Sequence, residues 1–329
     1  MEQPSRPVGE LSERLLLQQL QRFCPPQALA DDAAVLALER DRWLTVTTDT
    51  LVEGVHFSER TTQPEDAGWR AAAANLSDLA AMGAAPLGLA VGLQLPRDTA
   101  LDWVERFYSG FNACLQPHGA GIVGGDLSRA PAIAAAVTAL GSVAPQHLLR
   151  RSQASAGDAI VASGYHGCAR AGLELLLNPE QGDHLGASER AELVQAHQRP
   201  QPRLDALAAI AAVSAQASVA GTDSSDGLAE AVLQLCQASD VGATLEREAL
   251  PISAALARFV GLERSQQWCL YGGEDFELVL CLPSASARWL LPQLGAGAAI
   301  VGRITAERSV ALADRAGNQQ VLGAGYQHF

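Results

Sequence analysis

The stretch Asn75–Ala84 has the sequence NLSDLAAMGA and ends a helix predicted over Pro64–Met82. Asn75 and Asp78 are three residues apart, so they lie on one face of a helix that is otherwise made of alanine, leucine and methionine. A carboxylate in such apolar surroundings costs free energy unless it has a partner. Coordination of a metal ion by Asp78, with Asn75 as a neighbouring oxygen, would supply one. A hydrogen bond to a facing loop is the alternative.

Outward from this helix, apolar segments alternate between strand and helix patterns. Strands are predicted over Ala33–Leu38, Trp43–Thr48, Leu87–Leu95, Ala132–Val143, Ala159–Ser163, Phe276–Leu282 and Ala299–Ile304. Helices are predicted over Leu11–Phe23, Thr99–Leu115, Cys168–Leu177, Leu204–Ser214, Gly227–Ala238 and Ala287–Leu294. This alternation indicates an α/β or α+β fold. A polar, charged stretch at Pro145–Ser152 predicts a boundary, so we expect two domains, 1–147 and 148–329.

Four more acidic motifs lie beside apolar or small residues. They are Asp31-Asp32, Thr47-Thr48-Asp49, Gly124-Gly125-Asp126 and Asp223-Ser224-Ser225-Asp226-Gly227. Taken singly, each could be a turn residue or a helix N-cap. The Asp49 and Asp223 motifs are expected in turns that follow apolar strands, and Gly124-Gly125-Asp126 in a turn after Ile122. Together they indicate a hard divalent cation, because carboxylate and hydroxyl oxygens are the ligands such ions prefer. Mg²⁺ bound together with phosphate is therefore the favoured partner.

Two glycine-rich turns and two arginines fit a phosphate ligand. Backbone N–H groups at Gly124-Gly125-Asp126 and at Tyr271-Gly272-Gly273-Glu274-Asp275 could approach an anion closely. Arg129 and Arg151 are candidate phosphate-binding forks, with solvated surface arginines as the alternative. His56 follows the Asp49 motif and is either a ligand-binding or a structural histidine.

Composition excludes several classes of protein. The net charge of -13 argues against a nucleic-acid partner, which would need a basic face. The 329 residues include no lysine, which excludes a P-loop lysine, a Schiff base and a protein-kinase strand lysine. The six cysteines form no CxxC pair, and Met1–Arg14 has no apolar core, so we expect reduced thiols, no signal peptide and a cytoplasmic location. Gly and Pro interrupt the uncharged stretches, so no membrane span is expected.

In this order, the motifs resemble the thiamine-monophosphate kinase family, which is similar in fold to aminoimidazole ribonucleotide synthetases. The resemblance covers nearly the whole chain. It rests on Asp31–Leu36, Thr47–Phe57, Asn75–Ala84, Gly124–Asp126, Arg151-Ser152, Arg199–Arg203, Ser225–Leu228, Gly272–Leu278 and Gly325–Phe329. The family fold implies two α/β domains, with the N-terminal sheets of two subunits meeting in a homodimer and the C-terminal domain completing a cleft for ATP and metals.

The resemblance also implies a role for individual residues. Several magnesium ions would be held by Asp32, Thr47, Thr48, Asp49, Asp78, Asp126, Asp223 and Asp226, with K⁺ as a further candidate ion. ATP would contact Tyr108, Gly125, Asp126, Arg151 and Ser225. Thiamine monophosphate would contact His56, Glu274 and the position of Gly323.

Two positions depart from the family pattern. Ala30 replaces the glycine that usually precedes the Asp-Asp pair, and Gly323 stands where many relatives carry an aromatic residue over the substrate ring. Tyr326 is the alternative cover for that ring. The expected reaction is direct phosphoryl transfer from ATP to a phosphate monoester, without a covalent intermediate. A synthetase of the same fold is the rival, and it would differ by releasing free phosphate.

Overall fold

The computed structural model describes residues 6–11, 13–24 and 36–323. The chain forms two compact units that each have a sheet with helices, which confirms the expected mixed α/β fold. The first unit comprises residues up to Leu79 together with Ala85–Ser142. The second comprises Ala80–Ala84 and the chain from Val143 onward. The domain limits 1–147 and 148–329 stay a prediction.

The first unit is built on a four-stranded sheet of order β1-β4-β2-β3. Its strands are β1 (Trp43–Val52), β2 (Ala85–Leu95), β3 (Ile122–Arg129) and β4 (Ala134–Val143), and its described helices are α1 (Glu13–Leu20), α2 (Pro64–Ala81) and α3 (Leu101–Leu115). Strand β2 pairs antiparallel with β4 and parallel with β3. Helix α2 begins at the predicted residue, Pro64, and ends one residue before the predicted Met82.

Two acidic motifs that were expected in turns lie in strands. Strand β1 includes the predicted strand Trp43–Thr48 and continues through Asp49 to Val52, because the β-branched residues around Asp49 favour extended backbone. Gly124-Gly125-Asp126 lies inside β3, where Gly125 faces Val91 across the ladder. A Cβ on Gly125 would lie 2.3 Å from the Val91 carbonyl oxygen, so the glycine serves a close backbone approach. The strand expected over Ala33–Leu38 is not found in its described part, 36–38.

Helices α2 and α3 approach each other through two glycines. A Cβ on Gly68 would lie 1.9 Å from the Phe107 carbonyl oxygen, and a Cβ on Gly110 would lie 1.8 Å from that of Glu65. Neither glycine could therefore carry a side chain without separating the two helices. Phe107 and Phe111 of α3 are buried, and separation of the helices would loosen their packing.

The second unit contains a seven-stranded mixed sheet of order β11-β10-β7-β9-β5-β8-β6. Its strands are β5 (Ala159–Ala162), β6 (Ala220–Asp223), β7 (Gly242–Glu246), β8 (Leu278–Leu282), β9 (Ala299–Thr305), β10 (Val310–Ala313) and β11 (Gln319–Val321). Its helices are α4 (Cys168–Leu177), α5 (Ala187–Gln198), α6 (Leu207–Ser214), α7 (Leu228–Ser239), α8 (Ala254–Val260), α9 (Leu262–Tyr271) and α10 (Ser284–Leu294). Every residue of β5, β6 and β8 is buried. Among the described residues, no helix is long and apolar enough to cross a bilayer.

We predict that Gly110→Ala lowers the free energy of unfolding by about 2 kcal/mol or more, because the added methyl group overpacks the contact between α2 and α3. Alanine has the higher helix propensity, so a loss of stability would have to come from the contact itself. Gly124→Ala is the control, since a Cβ there meets nothing within 4 Å. Denaturant unfolding of both variants tests the prediction, and equal stability would contradict it.

Candidate functional site

In the first unit, strand β1 and helix α2 bring three of the predicted metal ligands and Asn75 together. The Thr47 hydroxyl donates a hydrogen bond of 2.5 Å to Asp78 Oδ2. Two residues further along β1, the Asp49 backbone N–H donates a hydrogen bond to Asn75 Oδ1 at 3.2 Å. Asn75 is buried, and its amide also donates to the Ala71 carbonyl oxygen at 3.0 Å. The Thr47 hydroxyl and the Asp49 backbone N–H both contact α2, and the alternation of side chains along a strand puts those of Thr47 and Asp49 on the same face of β1.

The structure thus supplies Asp78 with the hydrogen-bond partner that the sequence left open. The partner is a strand hydroxyl and not a loop. A carboxylate accepts several bonds at once, so this hydrogen bond leaves the group able to bind a cation as well. Thr48 lies on the opposite face of β1, where its hydroxyl is 2.7 Å from that of Thr138 on β4.

Gly125 and Asp126 lie on β3, at the opposite edge of the same sheet. Both are exposed, and Asp126 pairs with Gly92 in the ladder. Strands β4 and β2 separate β3 from β1, and three strand spacings amount to about 14 Å. Asp126 is therefore not a neighbour of Asp49 in the sheet. Arg129, at the end of β3, is an exposed residue.

His56 and Tyr108 are held by local contacts in the first unit. His56 Nδ1 accepts a hydrogen bond of 3.0 Å from the Val52 backbone N–H, which places the proton of a neutral ring on Nε2. Arg70 fixes the same turn by donating to the His56 carbonyl oxygen at 3.1 Å. Tyr108 is buried, with its ring stacked on Phe23 at 5.8 Å, and desolvation raises the pKa of its hydroxyl.

In the second unit, Asp223 ends strand β6 and begins the second acidic loop. Asp223 is buried, and Ser225 Oγ lies 3.5 Å from its Oδ1. Arg151 is anchored beside this loop, because its Nε donates to Thr222 Oγ1 at 3.0 Å. Gly227 closes the loop with a φ of +89°, and a Cβ there would lie 2.7 Å from the Leu270 carbonyl oxygen.

The Gly272–Phe276 loop is strained and is tied to the acidic loop. Glu274 and Phe276 have φ values of 60° and 52°, which side-chain-bearing residues rarely adopt. The Glu274 backbone N–H donates a 2.6 Å hydrogen bond to the Ser225 carbonyl oxygen. A Cβ on Gly273 would lie 2.8 Å from that same oxygen. The predicted substrate residue Glu274 and the ATP residue Ser225 are therefore direct neighbours.

Asp275 within this loop and Glu277 directly after it are both bound by partners in the second unit. The Asp275 carboxylate accepts hydrogen bonds from the backbone N–H groups of Gly167 at 2.7 Å and Ala169 at 2.9 Å, at the start of α4. Desolvation nevertheless raises the pKa of Asp275 to about 7. Glu277 pairs with Arg203 at 2.7 Å and accepts a hydrogen bond from Ser163. Burial raises the pKa of Glu277, while Arg203 acts against that rise.

The other predicted residues belong neither to the contacts between β1 and α2 nor to the acidic loop that begins at Asp223. Asp31, Asp32, Ala30 and Tyr326 lie outside the described residues. Gly323 is exposed, with nothing within 4 Å of a built Cβ. Residues 6–11, 13–24 and 36–323 contain no group of three or more His, Cys, Asp or Glu side chains arranged to hold a metal ion. The metal-binding roles therefore stay a prediction.

The structure adds three residues that our assignment of roles did not include. Thr222 holds Arg151, Arg203 holds Glu277, and His197 lies beside Glu274. Arg203 belongs to the Arg199–Arg203 segment that supported the family resemblance. Thr222 and His197 carried no such signal, because a threonine in an apolar strand and a histidine in a polar helix are both ordinary.

Comparison with known proteins gives the class first. A family model described as "AIR synthase related protein, N-terminal domain" matches residues 30–143. Its counterpart, "AIR synthase related protein, C-terminal domain", matches residues 155–315. The chain therefore belongs to the AIR synthase related proteins.

Relatives narrow the class. Thiamine-monophosphate kinase of Synechococcus elongatus is 47% identical over an alignment 329 residues long, which covers 98% of each chain. The crystal structure of thiamine-monophosphate kinase from Stenotrophomonas maltophilia K279a aligns with a TM-score of 0.78 at 34% identity, covering 91% of this chain and 94% of that one. AaThiL complexed with AMPPCP and TMP aligns with a TM-score of 0.76 at 29% identity, over 99% of both chains. Within its class, the chain belongs to the thiamine-monophosphate kinase family.

We predict that Asp275 makes stability depend on pH in a defined direction. Its pKa is near 7 in the folded chain and about 3.9 in an unfolded one. Between these values the folded state holds a proton that the unfolded state has released, so stability is present at low pH and is lost as pH rises through 7. The stability of the natural protein relative to Asp275→Asn should thus fall from pH 5 to pH 8, on the order of 1–3 kcal/mol.

Denaturant unfolding at the two pH values measures this difference. Asp183→Asn is the matched control, because Asp183 is exposed in the same unit. A difference that stays constant with pH, or that grows toward pH 8, would contradict the prediction.

Proposed function

We propose that this protein phosphorylates thiamine monophosphate to thiamine diphosphate, using ATP as co-substrate. The observation that carries the proposal is the alignment over 99% of both chains with AaThiL, which was complexed with AMPPCP and TMP. Relatives named thiamine-monophosphate kinase, among them that of Escherichia coli at 36% identity, support the same activity.

The donor types in the two units fit Mg²⁺. In the first unit the ions would be held by Asp32, Thr47, Thr48, Asp49, Asp78 and Asp126, and in the second by Asp223 and Asp226. The Thr48 hydroxyl and Asp126 would serve a different ion from Asp78, because Thr48 faces away from α2 and Asp126 lies at the opposite edge of the sheet. The proposed ligands are carboxylate and hydroxyl oxygens, with no cysteine or histidine among them, which is the ligand set of a hard cation. When bound, Mg²⁺ would neutralise charge on the transferred phosphoryl group. The same oxygens would accept K⁺.

The remaining residues would bind the two substrates. Arg151 is the proposed phosphate fork, and its hydrogen bond to Thr222 fixes the guanidinium group beside the strand that ends at Asp223. Gly125 would admit a phosphate to exposed backbone, and Tyr108 and Ser225 complete the ATP contacts. His56, Glu274 and the position of Gly323 would contact thiamine monophosphate.

The chemistry needs positioning more than acid–base catalysis. The second pKa of a phosphate monoester is about 6, so the acceptor is largely a dianion at neutral pH and needs no general base. Transfer can therefore run in line from ATP to the acceptor oxygen without a covalent intermediate. The absence of lysine fits this scheme, because arginine and metal ions then provide the positive charge.

Asp49→Asn and Asp226→Asn test the proposal. Each should lower kcat by about 100-fold or more, because each removes a charge from the metal-binding set. Asp98→Asn, an exposed position outside both clusters, should leave kcat unchanged. The assay incubates protein, ATP, Mg²⁺ and thiamine monophosphate, and follows ADP, thiamine diphosphate and free phosphate.

Near-normal turnover of both variants would reject the metal assignment. Free phosphate in place of thiamine diphosphate would reject the kinase and favour a synthetase. Circular dichroism spectra that match the natural protein would show that the variants remain folded.

We also propose that the protein is a homodimer, assembled through the first sheet. Strand β1 ends the sheet, and among the described residues its outer edge has no partner strand. Trp43, Leu44 and Val46 on β1 are exposed by 50%, 52% and 60%. Leu44 and Val46 lie on the face of β1 opposite α2. Exposed apolar side chains on a strand at the edge of a sheet favour association with another chain. A second copy of the same sheet would cover this face.

Val46→Arg should convert the dimer to a monomer, because it places a charge in the proposed interface. Leu262→Arg is the matched control, since Leu262 is 64% exposed on the second unit, outside the proposed interface. Sedimentation equilibrium of the two variants and the natural protein measures the mass. A dimeric Val46→Arg variant, or a monomeric natural protein, would contradict this interface.

A cytoplasmic location is part of the proposal. All six cysteines are free thiols, and five of them are buried, with Cys24 partly exposed. Unpaired cysteines in this number fit a reducing compartment.

A further inference from the structure

The loop that carries Glu274, together with Glu277 directly after it, contacts one segment, Gly167–Arg203, through three acidic residues. Asp275 accepts two backbone hydrogen bonds at the start of α4, and Glu277 pairs with Arg203 just beyond α5. Between these two anchors, Glu274 Oε2 lies 3.8 Å from His197 Nδ1, in the last turn of α5. Asp275 and Glu277 are thereby accounted for as structural residues, which leaves the Glu274–His197 contact to be explained.

His197 approaches the carboxylate from the protein interior. Its side chain is 2% exposed, whereas that of Glu274 is 35% exposed. The carboxylate therefore has one side against a fixed imidazole and another side open to solvent, where a ligand would arrive. The separation of 3.8 Å is longer than a direct hydrogen bond, so an N–H dipole at Nδ1 would act on the carboxylate across a short gap.

The position of His197 is set by the packing of α4 on α5. A Cβ on Gly172 of α4 would lie 2.9 Å from the His197 Cβ and 2.1 Å from the Leu193 carbonyl oxygen. Only glycine allows this approach, and Leu193, one turn before His197, is fully buried. The imidazole is consequently held on a rigid helix pair, which is the kind of support that a binding residue on a strained loop needs.

We propose that His197 is a positioning residue that directs the Glu274 carboxylate toward the acceptor substrate. The inference rests on the proposed function and adds a determinant of acceptor recognition to it. Thiamine monophosphate carries a thiazolium cation and an amino group, and a carboxylate complements both. Loss of the imidazole would widen the set of rotamers open to the Glu274 side chain, and acceptor binding would have to restrict them again. The residues proposed above to contact ATP include neither Glu274 nor His197.

Two amide variants of similar size separate positioning from packing. The Asn amide nitrogen takes the place of Nδ1 of a histidine, whereas the Gln amide nitrogen takes the place of Nε2. His197→Gln should raise KM for thiamine monophosphate about tenfold, with KM for ATP changed by less than about twofold. His197→Asn should retain KM for thiamine monophosphate within about threefold of the natural protein. A purely structural role would make the two variants alike.

A double-mutant cycle supplies the second readout. If His197 acts through Glu274, then His197→Gln should raise the Kd for thiamine monophosphate by less than about twofold in a Glu274→Gln background, measured by calorimetry with AMPPCP and Mg²⁺. Thermal melts of all variants show whether each is folded, and the Asn–Gln comparison decides the question even if one of them is less stable.

Equal KM values for the Asn and Gln variants, a parallel rise in KM for ATP, or additive effects with Glu274→Gln would each overturn the inference. These outcomes presuppose a natural protein that converts thiamine monophosphate. Failure of the natural protein itself to make thiamine diphosphate would instead reject the proposed function.

Discussion

Carboxylates placed among apolar residues are the constraint on which this structure depends, because each must gain a partner that offsets its lost hydration. Asp78 gains the Thr47 hydroxyl, Asp275 gains two amides at the start of α4, and Glu277 gains Arg203. Each of these bonds joins two elements that are distant in sequence. The acidic residues therefore hold the loops and strands in register before any ligand arrives.

Elements with a repeating apolar pattern could be predicted from the sequence, whereas contacts between distant residues could not. Helix α2 was predicted closely, since its apolar positions repeat over many turns. Gly124–Asp126 was taken for a turn because paired glycines usually mark one, yet the close approach of Val91 requires glycine inside a strand. A close backbone contact of this kind has no local sequence pattern, and only the paired strand reveals it.

The candidate site shows the same division. Asp49, Asp78, Asp226 and Glu274 could be proposed from the sequence because charged residues in small-residue motifs are conspicuous and resemble a known family, and their roles stay a prediction. His197 was missed because α5 has a polar sequence without clear amphipathic spacing, so nothing marks one of its residues as buried. His197 is distinguished by its close approach to Gly172 on another helix, where a Cβ on the glycine would lie 2.9 Å from the His197 Cβ. This contact forms only in the folded chain, so neither segment reveals it in the sequence.

The single partly exposed thiol has a practical consequence. Cys24 directly follows Phe23, whose ring stacks on Tyr108, a residue assigned to the nucleotide. A thiol-reactive fluorophore would attach there in preference to the five buried cysteines, and the absence of lysine removes amine side chains that compete for many dyes. The natural chain thus offers a labelling position next to a ring that stacks on Tyr108, which we propose contacts ATP, so a change in emission on adding ATP would report on that proposed contact.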